Sequence, residues 1–256
     1  ESRAALCASG LDDSAIDAVW RLFDEDYFIR HKAGEIVWHT EWLADSDTAS
    51  QVGLIDLRRK PGGDGVEAVF YTPRKRHTFA HATAVVDELG MTIVDARIVP
   101  LDNNYSLDTY IFMETDKRIE IDESRLTKIR RMLTRVLTAD DGEMTKVTRA
   151  VPRQARMFTT RTTVDFIRVS RRGRNVLELV SADRPGLLSK VGQVFLGHGV
   201  EIYTAKIMTI GERAEDVFYI TDESGAPLDL PAQESLRAAL VEMLDDRPST
   251  ERAKSA

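Results

Sequence analysis

The sequence predicts an α+β fold: two copies of one ββαββα unit with antiparallel sheets, preceded by a short helical segment. Three observations carry that prediction. "GMTIVDARI" (Gly90 to Ile98) is answered by "GVEIYTAKI" (Gly199 to Ile207) on a shared pattern of Gly, Ile, Ala, a basic residue and Ile, which marks a repeated supersecondary unit. A β-rich run follows each copy, "SLDTYIF" (Ser106 to Phe112) and "AEDVFYI" (Ala214 to Ile220). A helix-patterned segment precedes each: Phe79, Ala82, Val86 and Leu89 in the first, and Leu187, Leu188, Val191, Val194 and Phe195 in the second. Gly90 stops the first helix and "GHG" at 197–199 the second.

Upstream of each helix lies a hairpin. "QVGLIDLRRKPGGDGVEAVFY" reads as two strands joined by a Gly-rich turn, and "TTVDFIRVSRRGRNVLELVSA" repeats the arrangement around "RRGRN". Each unit closes with a second helix, near Glu123 to Leu137 and Gln233 to Leu244. A ferredoxin-like unit is βαββαβ, with its last strand antiparallel beside its first. Here the first strand of the hairpin takes that edge, so each unit is a permuted ferredoxin-like repeat. The expected division is a helical segment over 1–48, repeats over 49–140 and 161–246, a linker over 141–160 and a polar tail over 247–256.

Composition narrows the function classes. The 256 residues carry a net charge of -7, which argues against a mainly electrostatic nucleic-acid binder. Cys7 is the one cysteine, so no disulfide framework exists within the chain, as suits the cytoplasm. No apolar run reaches the length of a membrane span, and no signal peptide opens the chain. It begins at Glu1 and reads as part of a longer protein.

The joint "DRPG" (Asp183 to Gly186) sits between a strand and a helix. Pro185 suits a first helical turn, and Asp183 can cap the helix or oppose its positive end. Gly186 lets backbone N–H groups approach an anion closely. The same four residues also make an ordinary capped helix start, and the two readings stay open on the tetrapeptide alone.

In its context, "SADRPGLLSKVGQVFLGHGVEIYTAKI" (Ser181 to Ile207) resembles an ACT domain, the regulatory α/β module that commonly binds amino acids. With "GERAEDVFYITDESGAPL", "IVDARI" and "LDTY", the chain looks like the paired C-terminal ACT domains of the bifunctional PII-protein uridylyltransferase and uridylyl-removing enzymes. "DEDYFIRHKAGEIVWHTEWL" is similar to the helical stretch joining that family's hydrolase domain to its sensors. The resemblance implies a cytoplasmic nitrogen sensor. It implies that glutamine binds the ACT pair and switches the parent enzyme from adding UMP to the PII signalling protein towards removing it. It implies Mg²⁺ for the parent's transferase, no cofactor in this chain, and no nucleic-acid or membrane partner.

The implied ligand site is Asp183, Arg184, Pro185, Gly186, Leu187 and Leu188 in the second repeat, completed by Ile93, Val94 and Asp95 or by Glu201 and Ile202. Opposite "ADRPGLL" the first repeat has "PRKRHTF", basic and bulky, so the better amino-acid corner belongs to the second. Pairing of the two repeats follows from the resemblance, and pairing of two chains is left open.

Catalytic signatures of that family are missing from this sequence. There is no Gly-Ser dipeptide before a paired-Asp strand, and none of the five histidines precedes an aspartate, so the chain is expected to be regulatory and not catalytic. Asp24, Glu25 and Asp26, and Asp45 with Asp47, sit at expected helix ends and read as caps or loop residues. His31, Glu35 and His39 share one face of a continuous helix but spread about 12 Å along its axis, too far for one ion. Surface or interdomain packing is their expected role. Two alternatives remain: an ACT region of another amino-acid-responsive enzyme, and an RNA-binding sheet. The second is opposed by the aliphatic central strand "NVLELV".

Overall fold

In the first unit the apolar periodicity of residues 1–45 folds into four short helices: α1 (Ser2–Ala8), α2 (Asp13–Trp20), α3 (Glu25–Arg30) and α4 (Ala33–Asp45). The computed structural model describes residues 1–46, 53–75, 78–101, 103–137, 160–169 and 173–245. The chain forms two units, Glu1–Thr145 and Lys146–Ala256. After α4 come β1 (Leu54–Arg59), β2 (Val66–Pro73), α5 (Thr78–Glu88), β3 (Met91–Pro100), β4 (Tyr105–Glu114) and α6 (Glu123–Leu137). The strands pair antiparallel in the order β1-β2-β4-β3. β1 thus occupies the edge beside β2 that the last strand of a ferredoxin-like unit would hold, as the hairpin predicts.

The sheet of this unit is covered on both faces. Helices α5 and α6 pack on one side, against β3 and β1. On the other, Val19, Phe23, Tyr27, Ile36 and Leu43 of the N-terminal helices form a common core with Val69, Tyr71, Val99 and Leu107 of the sheet. Double coverage explains β2, where seven of eight residues are buried: a strand roofed on both sides cannot alternate.

The second unit repeats the order with β5 (Thr163–Val169), β6 (Asn175–Ala182), α7 (Leu187–Gly197), β7 (Val200–Lys206), β8 (Thr209–Ile210), β9 (Arg213–Asp222) and α8 (Leu230–Asp245). The sheet order is β7-β9-β6-β5, again antiparallel throughout. In β9 the helix-facing residues Ala214, Asp216, Phe218 and Ile220 are buried, while Glu215, Val217 and Tyr219 are half-buried. One strand is additional to the expected unit: β8 pairs with β9 through the two-residue Gly211–Glu212 loop. Gly211, at φ 65°, supplies the positive φ that such a loop needs at its first position.

The duplication extends to an irregularity. The register of β3 on β4 slips between Ile93 and Asp95, and that of β7 on β9 between Ile202 and Thr204, the same place in both copies. The shared Gly-Ile-Ala pattern therefore encodes a β-bulge, with Val94 and Tyr203 as the extra residues. The expected linker lies outside the described residues apart from Thr160, and the expected polar tail lies outside them entirely.

Candidate ligand corner and the polar core behind the first sheet

At the end of β6 the Asp183 N–H donates to Glu212 O at 2.9 Å. Arg184 to Leu187 then forms a turn closed by Leu187 N–H on Arg184 O at 3.0 Å. Pro185 takes the second position with its fixed φ, and Gly186 the third at φ 80°, ψ 4°, which is type II geometry. Helix α7 starts directly after, with Gly186 as N-cap and no side-chain cap. Two expectations are corrected here. Pro185 sets the turn before the helix and is not in its first turn, and Asp183 does not cap it.

The corner still presents backbone donors. The opening amides of a helix have no acceptor within it, and Lys190 N–H is the first of α7 to bond back, to Gly186 O at 2.9 Å. The amide of Leu187 is engaged by the turn, so an anion here would meet Gly186, Leu188 and Ser189. Gly186 and Leu187 are buried, and Arg184, Pro185 and Leu188 half-buried.

The Asp183 carboxyl hydrogen-bonds the Thr209 side chain. Although the residue is exposed as a whole, desolvation of that carboxyl raises its pKa, against the lowering by Thr209. Beside it lies Asp216 on β9, 1% exposed, with Oδ1 accepting from Met208 N–H at 3.3 Å. Its Oδ2 has no hydrogen-bond partner among the described residues. Burial pushes the Asp216 carboxyl up to about 7; the Met208 bond opposes this and the charge of Asp183 adds to it. Sequence reasoning missed both Asp216 and Thr209. The available signal was an acid at one register in both copies, since Asp108 of β4 matches Asp216 and is 2% exposed.

The other candidates fall on the bulges. Ile93 is buried, Val94 is half-buried at the bulge, and Asp95 is 3.1 Å from Arg97 Nε through its Oδ2. Glu201 and Ile202 are half-buried on β7, where Arg174 lies over the Tyr203 ring at 3.9 Å. In the first repeat, Thr78 N–H and Oγ1 both donate to Lys75 O, at 3.2 and 2.8 Å, the N–H bond matching that of Leu187 on Arg184 in the second repeat. Arg74 holds the position of Asp183; Arg76 and His77 are outside the described residues.

His31, Glu35 and His39 do not share a helix. His31 ends α3 in extended conformation, and α4 begins after Lys32, whose N–H donates to Glu35 Oε2 at 2.7 Å. Of the expected surface or interdomain packing role, the surface alternative is removed: all three are buried in the first unit. Arg97 of β3 grips Glu35 with both terminal nitrogens and donates from Nη1 to Arg30 O at 2.9 Å. His31 bonds Tyr27 O through Nδ1 (2.9 Å) and Thr109 through Nε2 (3.2 Å), and His39 Nδ1 meets the Tyr27 hydroxyl at 3.0 Å. Burial, helped by Arg97, lowers His31 to about 4, and burial, with His31, Arg97 and Arg58 adding to it, takes His39 well below its ordinary value. For Glu35, burial pushes up but the Arg97 guanidinium outweighs it, and the pKa is lowered. These are neutral imidazoles fixing helices to a sheet. Among the described residues no group of three or more His, Cys, Asp or Glu could hold a metal ion.

Comparison with known proteins bears on both regions. Residues 1–42, the N-terminal helices, match the family model described as the fifth domain of uridylyltransferase GlnD. Residues 175–238, from β6 into α8, match the ACT domain model. Bifunctional uridylyltransferase/uridylyl-removing enzymes align over nearly the whole chain. That of Methylococcus capsulatus is 38% identical over 96% of this chain, and that of Vibrio campbellii 36% identical over 96%. The chain resembles the ACT-bearing region of these enzymes. It spans 28% of the length of either relative. The corner of β6, the Pro185–Gly186 turn and α7 is thus the strand-to-helix joint of an ACT module. The Glu35–Arg97 network joins the segment matching the fifth domain to the first repeat. Among the described residues no helix is long and apolar enough to cross a membrane.

Proposed function

We propose that this chain is the amino-acid-sensing part of a bifunctional uridylyltransferase/uridylyl-removing enzyme, that its effector is glutamine, and that its repeats pair as ACT modules. The observation supporting this reading most strongly is the second-repeat corner. A type II turn made by Pro185 and Gly186 delivers the outward amides of α7 beside an acid pair, which suits a ligand carrying both an anion and a cation. The ligand carboxylate meets the N–H groups at Gly186 and Leu188, and Asp183 the ammonium. Glu201 and Ile202 of β7 are the further candidates within the same unit.

In a parent enzyme of this family the bound effector favours removal of UMP from PII over its addition, in the cytoplasm, with Mg²⁺ held in catalytic domains outside this chain. The chain itself is regulatory: with UTP and PII, or with uridylylated PII, it gives no turnover. The test is the same substitution in a parent enzyme. Gly186→Val places a side chain at φ 80° and should leave transferase activity high and removal low even at saturating glutamine, because coupling between sites is reciprocal. A parent variant that still switches normally with glutamine would refute the reading.

A further inference from the structure

We infer that Asp183 and Asp216 together form a cation subsite against the Met208–Thr209 segment, in which Asp216 is the inner contact for the α-ammonium of an amino-acid effector. The inference rests on the proposed sensing function and adds a residue and a proton to it. Asp216 is 1% exposed and one carboxyl oxygen lacks a hydrogen-bond partner among the described residues, an arrangement that costs stability unless something arrives to use it. The long 3.3 Å bond from Met208 N–H occupies only the other oxygen.

Asp183 is the charged neighbour that acts on Asp216 through space. Opposite on β6, Asp216 pairs with Leu179, and the nearby Ser181 is bonded to Thr162. Arg213 and Glu215 on the same strand pair with each other at 2.9 Å and alternate away from it. On α7, Lys190 reaches Met243 O and His198 bonds Val194 O at the far end of the helix; on α8, Arg237 is held by Val164 O and Glu234. These cations of β9, α7 and α8 are thus engaged away from the two acids.

A structural aspartate in an apolar layer would be expected to have both oxygens satisfied. Two acids that both contact the Met208–Thr209 segment, one of them at the joint that opens α7, instead match an α-amino acid, whose opposite charges hang on one carbon. The first repeat sharpens this. Asp108 preserves the inner acid, but Arg74 stands where Asp183 would, so the acid pair belongs to the second repeat.

Without ligand Asp216 holds a proton at neutral pH and below. When an ammonium enters, the carboxyl ionises against it and the proton leaves to solvent, so binding is coupled to proton release. With Asp216 at about 7, release is roughly 0.9 proton per ligand at pH 6 and roughly 0.1 at pH 8.

The experiment is calorimetric titration of the 256-residue chain with L-glutamine, at both pH values, in buffers of different ionisation enthalpy. Asp216→Asn and the deaminated analogue glutaramate are run in parallel. The wild type should release a proton at pH 6. Asp216→Asn, a neutral isostere, should stay folded by circular dichroism, release none and bind at least tenfold more weakly. Glutaramate should bind both proteins alike and weakly. Glutamine binding of equal affinity to both proteins overturns the inference and leaves the sensing function standing. No glutamine binding to the wild type overturns both. If Asp216→Asn does not fold, the wild type decides alone, and binding without proton release at pH 6 overturns the inference.

Discussion

Replacing Glu35 with Gln should weaken the first unit by about 3 kcal/mol, the low end of what breaking one side of a buried ion pair costs. The structure sets that figure. Arg97 is 11% exposed in its side chain and Glu35 7%, so the guanidinium has little water to turn to once the charge opposite is gone. It keeps Arg30 O and Asp95, which holds the loss below the upper end of the range. Arg97→Met should cost more, because it strands two buried carboxylates, Glu35 and Asp95, instead of one guanidinium. The assay is urea unfolding followed by tryptophan fluorescence. All three tryptophans, Trp20, Trp38 and Trp42, lie on α2 and α4, so the signal reports this unit. With a slope of about 2 kcal/mol per molar urea, the Gln variant's midpoint should drop by about 1.5 M. A drop below about 0.3 M, or a milder effect for Arg97→Met than for Glu35→Gln, would show that the network does not hold the helices to the sheet.

The two units should respond to pH with opposite sign. His31 is held at about 4 against an ordinary 6.5, so the unfolded chain takes the proton first. Stability from this group is complete above pH 6.5 and about 3 kcal/mol of it is lost on descending to pH 4, readable in the same fluorescence assay. Asp216 is raised from 3.8 to about 7, so without ligand the second unit should lose up to about 4 kcal/mol as pH rises between those values. Asp216→Asn should remove that loss, and amide exchange of β9 at pH 5 and pH 8 reads it: equal protection ratios in variant and wild type would contradict the assignment.

Much of this fold was legible because its signals are local. The Gly-Ile-Ala pattern of residues 90–98 and 199–207 marks the repeated strand after each helix, whereas the bulge within it, and the turn at Pro185–Gly186 in place of the expected first helical turn, emerge only from the structure. The less legible features depend on partners distant in sequence. The break between His31 and Lys32 carries neither Gly nor Pro; it is fixed by Glu35 folding back onto Lys32 N–H and by Arg97, 62 residues away. β8 is two residues long, too short for any periodicity, and its loop reads equally as a polar turn. Asp216 looks like one more polar residue of an alternating strand until the sheet turns it inward, and only then does its pairing with Asp183 emerge. Of the candidate ligand residues, Asp183 and Gly186 have clear local roles, whereas the engagement of Asp95 by Arg97 depends on a bulge that places both on the helix-covered side of the sheet.

The most direct test of amino-acid sensing at the second-repeat corner is L-glutamine calorimetry on three forms of the chain: wild type, Gly186→Val and Gly90→Val. Gly90 has nearly the same positive φ, 77°, with open space around an added Cβ, so both variants carry a comparable backbone strain of about 1–2 kcal/mol. The account predicts saturable binding to the wild type and to Gly90→Val, and none to folded Gly186→Val. Equal affinity in all three would contradict it and return the Pro185–Gly186 turn to the role of a helix start.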